Sequence, residues 1–417
     1  MKEIRKISVL VVLCFMLSGG VLYAAEVNGI YTEPTTKDVG ELTGISFLKG
    51  IKVRGWIDFY YEYNFNNPSH QTVNDIQDGV FPGVVSVIRA GNLTIEGRTF
   101  DVHSNSFGFN LAEIEIEKVP ERGGVGFDLK LAFGDTPEII FDTIQFAIGN
   151  DTLVDAEKFI EQASISYLAP IGKGLRIDVG KFVTHIGGET IETIKNNNYS
   201  HSFFYTYAIP FQDTGIRFNY PWTDTLYTEL YVLNGWNATI DNNEGKTIGP
   251  SIGWAPSPKF AWYINYLVGP EQTNNNSNYR QLFDTQMFIN PLDKLNILLN
   301  FDYGFEENAP LVSGVVKDVQ WVGVAGIIRY KVTDNFEPAF RAEYYNDVDG
   351  FTTALKQQLV GLTLTLNFRI GTSKYANILL RPEFRYDHSN ARFFTDDNDP
   401  RSKKSQTTIG AGAVFYF

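Results

Sequence analysis

From Ile378 to Asp387 the chain reads ILLRPEFRYD, and this stretch constrains the fold more than any other. Successive side chains of an extended strand point to opposite faces. Ile378, Leu380, Pro382, Phe384 and Tyr386 therefore share one side, and Arg381, Glu383, Arg385 and Asp387 share the other. Lipid cannot accommodate the second row, because a charge on a lipid-facing barrel position costs about 2–4 kcal/mol at the bilayer midplane. A strand of this kind wants hydrocarbon on one side and water on the other.

The pattern recurs. Phe336, Pro338, Phe340, Ala342 and Tyr344 alternate with Glu337, Arg341 and Glu343, and Leu362, Leu364, Leu366 and Phe368 alternate with Thr363, Thr365, Asn367 and Arg369. Earlier segments repeat it with Asp128 and Lys130, Arg176 and Asp178, Arg217 and Asn219, and Asn300 and Asp302. The first candidate strand sets Val53, Gly55, Ile57, Phe59, Tyr61 and Tyr63 against Arg54, Asp58, Glu62 and Asn64. The last, TTIGAGAVFYF, sets Ile409, Ala411, Ala413, Phe415 and Phe417 against Thr408, Gly410, Gly412 and Tyr416. An apolar final strand with a free edge invites aggregation unless it pairs, and closure onto the first strand supplies that pair.

Connections add an asymmetry. Strand pairs near 106–118 and 125–134, 160–169 and 174–182, 213–220 and 226–234, 247–255 and 259–268, 280–289 and 294–304, 320–331 and 336–345, and 359–369 and 376–387 are joined by short turns such as PIGKG, PSPK and PLDK. The links between pairs are longer and polar. Short turns on one side and long loops on the other are the layout of an outer-membrane barrel. The expected fold is all-β: a transmembrane antiparallel up-and-down barrel over residues 51–417 of about 16 strands, with 14 to 18 allowed. The strand at 106–118 carries a shift of its apolar face between Phe109 and Ile114, and a small extra hairpin is allowed around 84–97.

Residues 1–25 read as a signal peptide, with Lys2, Arg5 and Lys6 ahead of an apolar run from Ile7 to Leu17 and a small-residue end at Ala24 and Ala25. Residues 26–50 read as a periplasmic lead-in. The single cysteine, Cys14, lies in the signal, so the mature chain has no disulfide framework and no cysteine metal site. Net charge is -13, and losing three basic and one acidic residue with the signal gives about -15, which makes nucleic acid an improbable partner.

The inward charges are the candidate site. Arg329, Arg341, Arg369, Arg381 and Arg385 form a basic ladder expected to line the pore, facing carboxylates such as Asp58, Glu62, Glu113, Glu115 and Glu117 and tuning ion selectivity. The competing reading has these arginines pairing with neighbours such as Glu343 and Glu383 to brace the wall. Arg176 and Arg217 join the predicted lining from the earlier strands. The connection from Val183 to Gln212, with its HSFFYTYAIPF, either folds into the lumen as a constriction or rims the outer leaflet. Enzyme signals are weak: His201 sits between Ser200 and Ser202 without a third partner. The histidines, His70, His103, His185, His201 and His388, lack metal-ligand spacing, so neither cofactor nor metal is expected.

Several phrases carry a family likeness: GWIDFYYEYNFN, DVGKFVTHIGGE, NNYSHSFFYTYAIPFQDTGIRFNY, LYTELYVLNGWN and GPSIGWAPSPK. With them the sequence resembles the OmpL-like, type-two family of outer-membrane β-barrel porins. The resemblance implies passive diffusion of small hydrophilic solutes or ions across the outer membrane of a diderm bacterium, with lipid and lipopolysaccharide around the barrel. It also implies that Phe417 is an assembly signal read by the barrel-assembly machinery. Porins of similar strand number are often trimers, so a homotrimer is allowed, though no residue here points to one. The alternative function is a plugged structural or adhesive barrel that binds external partners through its long loops.

Overall fold

The computed structural model describes residues 38–68, 97–148, 155–371, 376–397 and 399–417. The expected signal peptide and the allowed hairpin at 84–97 fall almost wholly outside these residues. After a short helix α1 (Val39–Thr43) and a 3-10 turn (Ser46–Leu48), the barrel begins. Its strands are β1 (Ile51–Asn64), β2 (Ser106–Lys118), β3 (Val125–Phe133), β4 (Ile160–Ala169), β5 (Leu175–Val183), β6 (Gln212–Pro221), β7 (Leu226–Leu233) and β8 (Thr247–Ser257). They continue with β9 (Phe260–Gln272), β10 (Asn275–Leu292), β11 (Leu295–Pro310), β12 (Val316–Tyr330), β13 (Phe336–Asp347), β14 (Gln357–Ile370) and β15 (Asn377–Ser389). A small outer hairpin, β16 (Phe394–Asp396) and β17 (Asp399–Lys403), precedes the final strand β18 (Ser405–Tyr416).

Sixteen of these strands close into one antiparallel barrel, in which β18 lies between β15 and β1. Closure pairs Ile57 with Phe415 and Phe59 with Ala413, so the apolar last strand has no free edge. On β1, β2, β13 and β15 most of the charged row points inward and is buried, while Phe59, Phe340, Phe384 and Ile409 stand on the outer surface. Trp222, Trp254, Trp262 and Tyr330 are exposed near the short-turn end, where an aromatic belt suits a membrane interface. Among the described residues no helix is long and apolar enough to cross a membrane, so any crossing is made by strands.

The shifted apolar face of β2 has a structural cause. Asp58 pairs with Leu111 and Phe59 with Phe109, leaving Asn110 as an extra residue in a β-bulge. Asn110 and Leu111 both point inward, which lets Phe107 and Phe109 before the bulge and Ile114 after it all face out.

Several of the expected long links hold regular structure, among them 305–319, where β11 runs on to Pro310 and β12 starts at Val316, and 388–406, which holds β16 and β17. The link from Gly269 to Tyr279 is strand almost throughout, with β9 and β10 joined across Asn274, whose φ is +56°. Above the bilayer both faces of a strand meet water, so the apolar alternation that marks strands fades there. The link after Gly134 contains helix α2 (Asp135–Ile148), opened by Pro137 and by Asp135 and Glu138 in its first turn.

Candidate functional site

The connection between β5 and β6, residues 184–211, enters the barrel and crosses it. It runs from β5 to β6, which stand seven and eight places round the ring from β14, and its central residues rest against β13–β15 on the far side and against β1. Of the two sequence readings of this segment, the structure has the one in which it folds inward. Ser202 caps the short helix α3 (Phe203–Tyr207), accepting from the Tyr205 amide at 3.2 Å, and every residue of α3 is buried.

The far wall holds the segment by its backbone. Tyr199 and Ser200 donate their amides to Glu383 at 2.8 and 3.2 Å, and the Phe203 amide donates to Glu343. Arg381 donates to the Asn196 carbonyl at 2.8 Å, while Arg385 and Arg341 donate to the His201 carbonyl at 2.6 and 3.1 Å. Arg341 also meets Glu189 of the segment at 2.8 Å. Asp58 accepts from the Thr193 hydroxyl at 2.7 Å and from Tyr199 Oη at 3.1 Å. Hydrogen bonds to charged groups are each worth about 1.5–3 kcal/mol, so a dozen or so would hold a segment firmly.

The wall is also shaped for this. A Cβ added at Gly412 would stand 2.1 Å from the Tyr199 ring, and one at Gly323 would stand 2.6 Å from Phe204 Cβ. Neither approach is open to a larger residue without displacing the segment. Further out, Phe203, Phe204, Tyr207 and Phe211 join Phe100 and Val102 and the inward-facing Tyr231, Trp321 and Tyr345 in one apolar cluster inside the barrel. Burial holds the His201 imidazole below its ordinary pKa, against the pull of Glu189. Its Nε2 lies 2.6 Å from the Thr190 carbonyl oxygen, while the Ser202 hydroxyl goes to Glu189, so the two are not arranged as nucleophile and base.

The predicted lining residues separate into three groups. Arg341, Arg381, Arg385, Glu343, Glu383, Asp58 and Glu62 are inward and fully covered, between wall and segment. Arg176 and Arg217 both reach Asp178, at 2.8 and 2.9 Å. Arg329 and Arg369 share Glu337 at 3.3 and 3.8 Å, near the short-turn mouth. The expected opposition of arginine and carboxylate walls does not occur. Because the last strand closes onto the first, β15 and β1 are separated by β18 alone, and the two charge rows lie side by side.

The sequence reading passed over Arg98, which is buried 2.8 Å from Asp101 and 3.9 Å from both Glu62 and Glu383. It also passed over the Lys130–Glu192 contact at 2.6 Å, which ties the segment to β3. Glu113, Glu161 and Glu192 bring carboxylate oxygens within 4.8 Å of one another. Lys130 and Lys195 both meet Glu192 there, and their ammonium groups already occupy the cationic role.

On the β7–β12 side the segment leaves a cleft of about 870 Å³. Its wall carries the apolar Tyr227, Tyr263, Phe288, Leu298 and Ile327 together with Glu229, Ser251, Asn265 and Gln286.

With this geometry in hand, the chain was compared with known proteins. A family model described as "Putative beta-barrel porin-2, OmpL-like" matches residues 50–417. Among solved structures, the outer membrane channel DcaP of Acinetobacter baumannii is similar at 10% identity, covering 88% of this chain and 97% of that one with a TM-score of 0.54. An anion-selective porin from Comamonas acidovorans is similar at 11% identity, covering 88% and 99% with a TM-score of 0.53. A search of curated proteins gave no match. At these identities the two structures speak to the barrel fold alone.

Proposed function

The chain belongs to the OmpL-like β-barrel porin-2 family and is a passive-diffusion porin of the bacterial outer membrane, and from that premise we propose that solutes pass through the cleft between segment 184–211 and strands β7–β12. The observation that carries this is the crossing segment. Its anchors cover Arg341, Arg381 and Arg385, so these charges are the segment's mooring and have no direct contact with a passing ion. The remaining route is bounded mainly by aromatic, aliphatic, amide and hydroxyl side chains, with Glu189 and Lys195 held in ion pairs and Glu229 in hydrogen bonds. Selection then rests on cleft width more than on wall charge.

Within this reading the lipid-facing rows sit in the outer membrane, and Phe417 is the residue that the barrel-assembly machinery reads. Liposome swelling with neutral solutes of increasing size tests the route. Small polyols should enter and solutes much wider than a disaccharide should not. Uptake that ignores solute size would overturn it.

A further inference from the structure

The cleft has the makings of a binding site. Tyr227 and Tyr263 lie with ring centroids 6.3 Å apart, and Tyr263 and Phe288 lie 5.7 Å apart, edge to face. Together they set a row of aromatic rings across β7, β9 and β10. Beside them the wall adds polar groups, Ser251, Asn265 and Gln286, and the segment contributes Asn196 and Asn197. Small-molecule sites characteristically join an apolar, aromatic lining to a few placed polar groups, as here.

Two of the polar groups in this lining lack hydrogen-bond partners among the described residues. Both ring nitrogens of His185 and the side-chain oxygen of Asn197 are buried without a hydrogen bond, on residues that are 8% and 5% exposed. Buried polar atoms are costly to leave unmet, so such groups usually have a partner. A neutral imidazole offers one N–H donor and one acceptor, and the amide oxygen is an acceptor. Their complement is a ligand whose groups donate and accept alike, which hydroxyls do and carboxylates do not.

Three charged groups reach the cleft, and the one cation among them is already paired. Glu189 pairs with Arg341, and Lys195 pairs with Glu192. Glu229 accepts from Asn219 and from the Tyr231 hydroxyl, each at 2.9 Å. An anionic ligand would find no free positive charge among these three, since the only cation, Lys195, is paired and Glu229 keeps its negative charge. A neutral ligand with an apolar face for the rings and hydroxyls for the amides and imidazole would leave little unsatisfied.

We infer that this cleft is a binding site for small neutral carbohydrate, with the aromatic row about Tyr263 packing on the sugar's apolar face and His185 and Asn197 bonding its hydroxyls. The inference rests on the diffusion reading for its route, but the site can be probed without conduction. Saturation-transfer NMR on the refolded protein, with sucrose as the probe and gluconate as the charged comparison, should show transfer to sucrose and far less to gluconate. Tyr263→Leu and, separately, Asn197→Ala should each weaken sucrose binding about tenfold, the factor that one such contact commands, with folding checked by the heat-dependent gel shift. Absence of transfer to sucrose, equal transfer to gluconate, or unchanged binding in both folded variants would overturn the inference. Sucrose binding by a protein that passes no current would instead overturn the diffusion reading and leave the site standing.

Discussion

Arg341 on β13 and Glu189 on the inner segment meet at 2.8 Å, with both side chains buried, although 152 residues separate them in sequence. The pair bridges the barrel wall and the segment that divides its lumen. Breaking a buried pair by removing one partner costs about 3–5 kcal/mol, because the other charge is left uncompensated.

Arg341→Ala should therefore loosen the segment while the barrel, whose strand ladders do not involve this side chain, persists. Single-channel recording should show larger or noisier steps than the native protein. An unchanged step size in a protein that still shows the folded gel band would mean that the pair does not hold the segment.

Gly412→Val tests the fit of the wall from the other side. The Tyr199 ring stands where the new side chain would go, and overpacking of this kind costs about 1–3 kcal/mol. The ring and its contact with Asp58 should be displaced, with conductance again rising. The outward neighbours Ala411 and Ala413 provide the control, since Val at either of these meets lipid.

Segment docking should weaken in acid. Burial, aided by the nearby Arg217 guanidinium, holds His185 down at about 3, whereas a released histidine titrates near 6.5. Between those values the released state binds the proton and the docked state does not. The His185 contribution to docking is full above about 6.5 and falls as the pH drops toward 3. Current fluctuations should grow between about pH 7.5 and pH 5, and His185→Gln should flatten that dependence.

Phe417→Ala separates assembly from stability. The Phe417 backbone exchanges hydrogen bonds with Gly55 at 3.0 and 3.1 Å, and these do not depend on the side chain. The variant should refold in detergent and melt close to the native protein, yet its level in the outer membrane of living cells should fall several-fold. Equal levels in the membrane would remove the proposed role of the terminal ring.

Sequence reading reached the barrel because lipid and water impose opposite demands on alternate residues. Where that contrast is sharpest, as in β13, β14 and β15, the expected and observed strands agree to within a residue or two. It weakened wherever the contrast vanished, as in the β9–β10 hairpin above the bilayer and in helix α2. The site was less legible. That Arg341, Arg381 and Arg385 face inward follows from alternation, but what they touch depends on where a distant loop comes to rest. The aromatic run HSFFYTYAIPF and the triple asparagine before it marked the segment as unusual. No local signal tied Glu189 to Arg341, or Tyr199 to the space above Gly412. The apolar inward face around Tyr263 and Phe288 was hidden for a related reason, since β9 and β10 are apolar on both sides over part of their length.

The most direct test is single-channel conductance of the refolded protein in a planar bilayer under a salt gradient, beside a variant whose residues 187–207 are replaced by a short Gly-Ser linker. The account predicts small ohmic steps with a reversal potential near zero for the native protein, and much larger steps for the variant. Native steps as large as those of the variant, or a strong ion preference in the native protein, would contradict a route confined to the cleft beside the moored segment.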